Sequence, residues 1–271
     1  MRADFQQGAA PADFFCIRGY IFLMTFFDTH FHLDSMKAKG VDLSLLGPLE
    51  GMDIGCEPGD IETRLPLIKQ FSGLRWSVSA GPWCLGRGKS VSQLISQLKE
   101  DCGKFRPDFI GETGIDRHYN YGEKGEMEEL FIACIELANE LKLPITVHNR
   151  EADKTVLEIL RTHRADRRGI IHCFSGDRES ARQFLDLGYA ISFAGNVTYK
   201  SNEALREAAS YVPDSSILLE TDSPYLSPVP VRGRVNTPLN ISYTYEFAAQ
   251  LRGTSAQELN EKVKQNYFSI L

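Results

Sequence analysis

Apolar and polar positions follow two alternating periods along the chain. Short runs rich in β-branched and aromatic residues fall at about 25–30, 52–56, 75–80, 108–112, 145–148, 169–172, 189–193 and 216–220. Each is bounded by Gly, Pro or charged residues, as strands are. Between them, apolar residues recur at spacings of three and four. The clearest case is 126–141, where Leu130, Phe131, Cys134, Ile135, Ala138 and Leu141 form a stripe and Glu128, Glu129, Glu136 and Glu140 fill other positions. A second helix carries Val91, Leu94, Ile95 and Leu98 behind Ser90, a residue type that caps helices through its hydroxyl. Further helical stretches follow Gly59, Glu151, Asp177 and Asn202. Two more close the chain, at about 240–251 and 255–268, with Thr254 or Ser255 as cap of the second.

Strands that alternate with helices imply right-handed crossovers and a parallel sheet. Eight such units match a closed (β/α)8 TIM-type barrel better than an open doubly wound sheet. The weakest part of the pattern is 35–50, which reads ambiguously. At 271 residues the chain would hold about two average domains, but α/β barrels use roughly 200–250 residues as one unit. No low-complexity segment or linker interrupts the repeats, so 24–271 is expected to be a single barrel domain. Residues 1–23 read as an extension ahead of a natural start at Met24.

Composition narrows the class. Hydrophobic residues make up 42% and charged residues 24%, an ordinary globular balance. Lys and Arg number 30 against 36 Asp and Glu, a formal net charge of −6, which excludes a protein that coats nucleic acid by bulk positive charge. A local phosphate site stays open, because bound cations do not enter that sum. Six cysteines, at 16, 56, 84, 102, 134 and 173, form no CxxC pair and read as reduced thiols of a cytoplasmic protein. No apolar run reaches the ~18 residues of a membrane helix. The best run, 14–27, is broken by Arg18 and Gly19 and leads directly into a strand, which argues against a signal peptide.

The chemistry lies at strand ends. Of six histidines, His30, His32, His148 and His172 fall at the C-terminal ends of expected strands, the face where barrel enzymes place their active sites. Glu112 ends the fourth strand and Asp222 follows the eighth. His30 and His32 are two apart, so both point to one face of an extended strand, a natural chelate for a borderline divalent ion. Singly, each of these residues could be an ordinary polar strand end or a satisfied core histidine. Equivalent positions in a repeating unit change that reading to a metal site. Four histidines and two carboxylates exceed the three protein ligands usual at a single catalytic zinc, which points to two ions with a carboxylate between them.

The runs DTHFHLD (28–34), GETGID (111–116), PITVHNRE (144–151), IIHCFSG (170–176) and ETDSPYLSP (220–228), with RGRVNTPLN and the NYF ending, resemble the motif series of the TatD family of metal-dependent hydrolases over about 24–271. The resemblance implies that His30 and His32, with Asp222 beside them, hold one ion. His148 and His172 would hold the second, and Glu112 would bridge. Asp222 would also orient or deprotonate the attacking water. Related hydrolases often bridge with a carboxylated lysine, but no lysine ends strands four, five or six here. The family implies two divalent ions (Mg, Mn or Zn) and DNase activity, including removal of nucleotides from a 3′ end. One departure stands out: Trp83 occupies the place of the family's G-x-H-P histidine, which puts substrate preference in question. Trp83 is then a candidate base-stacking ring or an apolar cover for the mouth.

Arg150 and Arg234 are candidates for gripping phosphate, since a guanidinium fork matches it bidentately. Ser175 and Gly176 could present N–H groups at a helix start. Asp28 and Asp116 are candidates for fixing imidazole tautomers. His118 and His163 read as structural or solvated, the basic cluster 161–168 as a helix C-terminus complementing its dipole, and Cys173 as packed. The expectation is a monomeric, non-membrane phosphodiesterase acting on single-stranded DNA or nucleic-acid ends. The alternative is hydrolysis of a small ester, lactone, amide or aminoacyl-tRNA ester at the same ions, and an inactive binding barrel is disfavoured by the complete ligand set.

Overall fold

A computed structural model describes residues 25–271 except Asn120 and Lys124, and the backbone alone of 14–17 and 20–23. Most of 1–24, on which the expected upstream extension falls, lies outside the described residues. The backbone of Phe14–Ile17 pairs with that of Tyr20–Leu23 as a short antiparallel hairpin.

Eight parallel strands then follow one another around the sheet in sequence order. They are β1 (Phe27–Phe31), β2 (Glu50–Asp53), β3 (Gly73–Val78), β4 (Phe109–Asp116), β5 (Ile145–Arg150), β6 (Gly169–Ile171), β7 (Ala190–Phe193) and β8 (Ile217–Leu219). Every residue of β1, β4, β6, β7 and β8 is buried, as parallel strands covered on both faces must be. Closure runs from the end of β8 to β1. Asp222 N donates to His30 O at 2.9 Å, His32 N donates to Ser223 O at 2.8 Å, and Phe31 bridges Ser223. Each expected strand therefore overlaps an observed one, and the fold is a single (β/α)8 barrel.

The helices are α1 (Leu33–Ala38), α2 (Ile61–Ile68), α3 (Val91–Phe105), α4 (Glu126–Leu141), α5 (Asp153–Thr162), α6 (Arg178–Asp186), α7 (Glu203–Tyr211), α8 (Ile241–Arg252) and α9 (Ala256–Ile270). Ser90 and Ser255 each close a capping box, with Gln93 and Glu258 respectively. The expected stripe of α4 is buried except for Leu141, which is 36% exposed where the helix ends. The ambiguous stretch 35–50 has a physical cause. Its crossover is only a six-residue helix and a short 3-10 turn at Leu43–Leu45, too brief to show a period. The two C-terminal helices brace the seam: Tyr245 donates to Phe27 O at 2.8 Å, Asn260 accepts from Phe27 N at 2.8 Å, and Asn266 donates to Ile217 O at 2.9 Å. No helix among the described residues is long and apolar enough to cross a membrane. The five described cysteines are free thiols.

Candidate metal centre

β1 delivers two imidazoles to the C-terminal mouth. The Nε2 atoms of His30 and His32 stand 3.3 Å apart. Asp222, carried in from the far side of the seam, places Oδ1 3.8 Å from His30 Nε2 and 3.5 Å from His32 Nε2. Asp222 adopts φ 54°, a left-handed backbone rarely used by non-glycine residues outside turns and functional sites.

Across the mouth, β4 pairs with β5, Gly114 opposite His148. Gly114 has φ +145°, and a Cβ there would fall 2.0 Å from His148 O, so only glycine permits this approach. Glu112, two residues earlier on β4, meets the histidines of the next two strands. Its Oε1 is 2.6 Å from His148 Nδ1 and 2.7 Å from His172 Nε2. Its Oε2 faces the other way, 3.4 Å from His30 Nε2 and 3.8 Å from His32 Nε2. One carboxylate therefore spans two histidine pairs.

The outward ring nitrogens are mostly held. Asp116 Oδ2 lies 3.1 Å from His148 Nε2, while its Oδ1 accepts from the N–H groups of His118 and Tyr119. Glu220 Oε1 lies 3.3 Å from His172 Nδ1 and accepts from Cys173 N at 2.8 Å. His32 Nδ1 meets Ile54 O at 3.1 Å, with Cys56 Sγ at 3.5 Å. His30 Nδ1 is buried with no hydrogen-bond partner among the described residues, and its ring stacks on His172 at 4.0 Å. Partners behind ligating imidazoles are what orient them in metal sites.

These residues fit divalent ions. Two sets of three ligand atoms, from His30, His32 and Asp222 and from Glu112, His148 and His172, each gather within 4.8 Å. Tetrahedral ligand atoms on bonds of about 2.1 Å stand roughly 3.4 Å apart, close to the spacing of the first set. The donors, imidazole nitrogen and carboxylate oxygen, suit borderline cations. Burial and the nearby His172 hold His30 below its ordinary pKa against the pull of Glu112, whereas the acidic neighbours of His32, His148 and His172 outweigh burial and hold those three above it. Burial pushes the Glu112 carboxyl up, but His172, His148 and His30 outweigh it and keep the group well below the usual carboxylate range.

The other expected residues divide between rim and wall. Arg150 is exposed, its guanidinium 5.0 Å from the Tyr119 ring centre. Arg234 is exposed in the loop after β8, where its carbonyl accepts from Ser227. Trp83 is anchored: its indole N–H donates to Cys56 O at 2.6 Å, and its ring meets His148 edge-on at 5.4 Å. His118 is an exposed rim residue 2.9 Å from Glu151. Asp28 corrects the expectation made for it. It touches no imidazole ring; it accepts from Thr221 N and Thr221 Oγ1 at 2.9 and 2.6 Å and ties β1 to the segment after β8. The helix start beyond Ser175 and Gly176 is already capped, by Asp177 accepting from Ser180 N. Cys173 sits at φ 45° with its N–H committed to Glu220, and its sulfur belongs to neither ligand set.

Glu220 is the residue that the sequence reasoning passed over. It is fully buried, and His30, His172 and Glu220 form a further ligand-type cluster. A signal was present, since Glu220 and Asp222 repeat the two-residue spacing of His30 and His32.

Known proteins resemble this chain in sequence and in fold. The profile described as TatD related DNase matches residues 27–271. The chain is 38% identical to the uncharacterized metal-dependent hydrolase TatD of Mycobacterium tuberculosis over 248 residues, covering 86% of this chain and 92% of that protein. It is 45% identical to the uncharacterized metal-dependent hydrolase YcfH of Escherichia coli over 159 residues, a match spanning 58% of this chain and 60% of that relative. The crystal structure of YjjV, a TatD homologue from Escherichia coli, superposes with TM-score 0.79 at 24% identity, over 91% of this chain and 97% of that one, and so shares the fold. A profile matched from β1 to the last residue, on a barrel whose mouth gathers histidines and carboxylates, places the chain in the TatD family of metal-dependent hydrolases.

Proposed function

We infer that the chain hydrolyses phosphodiester bonds, as a DNase acting on single-stranded DNA or 3′ ends, with two divalent ions held by His30, His32 and Asp222 and by His148 and His172, and with Glu112 between them. The observation that carries this reading is the Glu112 carboxylate, one oxygen toward each histidine pair. Bound ions there would polarise phosphoryl oxygens and acidify a water molecule.

The protein's own groups have distinct tasks. Asp222 is the most exposed of the carboxylates facing the His30–His32 pair, at 13% of its side chain against 5% for Glu112, so it is the one placed to take a proton from the attacking water. Asp116 and Glu220 hold His148 and His172 in fixed orientation. Three cation–aromatic pairs lie at or beyond the C-terminal ends of barrel strands: Arg150 on Tyr119, Lys39 on Tyr225 and Arg232 on Tyr199, with ring-centre distances of 5.0, 4.3 and 4.1 Å. Positive charge interleaved with aromatic faces suits a single strand, whose phosphates need cations and whose bases stack. Trp83 supplies another ring beside His148, and the exposed Arg150 and Arg234 are the candidates for phosphate contact.

The test is a 3′-labelled single-stranded oligonucleotide with Mg²⁺ or Mn²⁺. Loss of label that a chelator abolishes supports the reading. An intact oligonucleotide alongside turnover of lactones or carboxylic esters contradicts it.

A further inference from the structure

The opposite end of the barrel holds a second polar site. A cavity of about 210 Å³ opens where α5 and α6 end and β6 and β7 begin, lined by Arg161, Arg164, Arg168, Asp186 and Tyr189 among others. Three guanidinium groups converge on it without a carboxylate partner. Arg161 donates to the neutral amide of Gln183, and Arg168 Nε donates to Leu187 O. The Arg164 guanidinium makes no hydrogen bond or ion pair among the described residues, while its carbonyl accepts from Asn139, which pins the loop to α4. The one lining carboxylate, Asp186, is already engaged by Arg182 at 2.5 Å.

A buried group independently marks the same place. Tyr189 is only 3% exposed, yet its hydroxyl has no hydrogen-bond partner among the described residues. Tyr189 lines the cavity together with Arg161, Arg164 and Arg168. A buried hydroxyl without a partner is costly, and this one belongs to a residue of the cavity wall.

Completion of helix dipoles does not account for the cluster. The last turn of α5 is capped by Thr162 Oγ1 on Glu158 O and by His163 N on Ile159 O. The last turn of α6 is capped by Leu187, Gly188 and Tyr189 N–H groups on Phe184 O and Leu185 O. Apart from the Arg168 Nε contact, the guanidinium groups are surplus to both ends.

We propose that Arg161, Arg164, Arg168 and Tyr189 form an anion site for a phosphate group, separate from the metal centre. Guanidinium forks match a tetrahedral oxyanion, and a tyrosine hydroxyl can donate to it. The cavity is smaller than the ~300 Å³ at which pockets for larger ligands begin, so it takes a phosphate group rather than a whole nucleotide. The group is either free phosphate or the exposed end of a phosphomonoester.

Calorimetric titration of the full chain, stripped of metal by chelation, with inorganic phosphate and separately with dAMP tests this. One site is expected, weakened at least about tenfold by Arg164→Gln and several-fold by Tyr189→Phe, with the melting temperature of Arg164→Gln unchanged. Binding of both ligands identifies any terminal phosphate as the ligand, and binding of phosphate alone identifies the free ion. No binding of either, or the same affinity in an Arg161→Gln/Arg164→Gln double variant, would overturn the proposal.

Discussion

Two buried polar clusters meet at the end of β1, and they are built on opposite plans. The first centres on Arg64, which is fully buried and donates to Asp53 at 2.7 and 2.9 Å, to Asp60 at 2.7 Å and to Ser77 O at 3.2 Å. Asp53 in turn accepts from Leu33 N, the residue after His32. This cluster carries its own permanent cation and is satisfied internally. The second cluster has Glu112, Asp222 and Glu220 paired with histidines, with no Lys or Arg in an ion pair with them among the described residues. The difference separates structure from chemistry. A fixed guanidinium locks the strand ends, while imidazoles leave the cationic role to exchangeable ions.

The comparison can be broken at several points. The largest effect is expected from Asp222→Asn. Removing a proton acceptor should lower turnover by about 10²–10⁴-fold while most metal and the fold remain; steady-state kinetics beside elemental analysis would show it, and retained activity would remove the role. Arg64→Met should cost about 3–5 kcal/mol of stability, because Asp53 is left buried without its partner. Denaturant unfolding measures this, and a loss below 1 kcal/mol would erase the contrast. Glu220→Gln keeps an acceptor for Cys173 N but removes the charge behind His172. Metal affinity should fall roughly ten- to a hundredfold in a competition titration, with little change in melting temperature. The smallest effect belongs to the mouth wall. Trp83→Ala should raise KM for oligonucleotides by an amount equivalent to about 1 kcal/mol, the low end for a stacked base, because the indole N–H is already committed to Cys56 O and only stacking is left to lose. An unchanged KM would make Trp83 a cover.

Much of this was legible in the chain because a barrel repeats one unit. All eight strands are visible as short apolar runs, and four histidines at their ends mark the mouth in the sequence itself. What escaped was the information that only contacts carry. Glu220 reads as one more strand-end acid until its oxygen is seen beside His172. Asp28 looks like a support for His30 but serves the seam through Thr221, a residue 193 positions away. The short first crossover hides because six residues cannot display a helical period. The arginines at 161–168 read as helix-end charges, and only the unpartnered Tyr189 hydroxyl gives them another meaning.

The central claim is that Glu112 joins two cation sites. Titration of chelator-treated protein with Mn²⁺, followed by elemental analysis after desalting, tests it most directly in the wild type and in Glu112→Ala. The account predicts two ions per chain in the wild type and reduced occupancy at both positions in the variant. A single ion in the wild type, or two retained in Glu112→Ala, would contradict it.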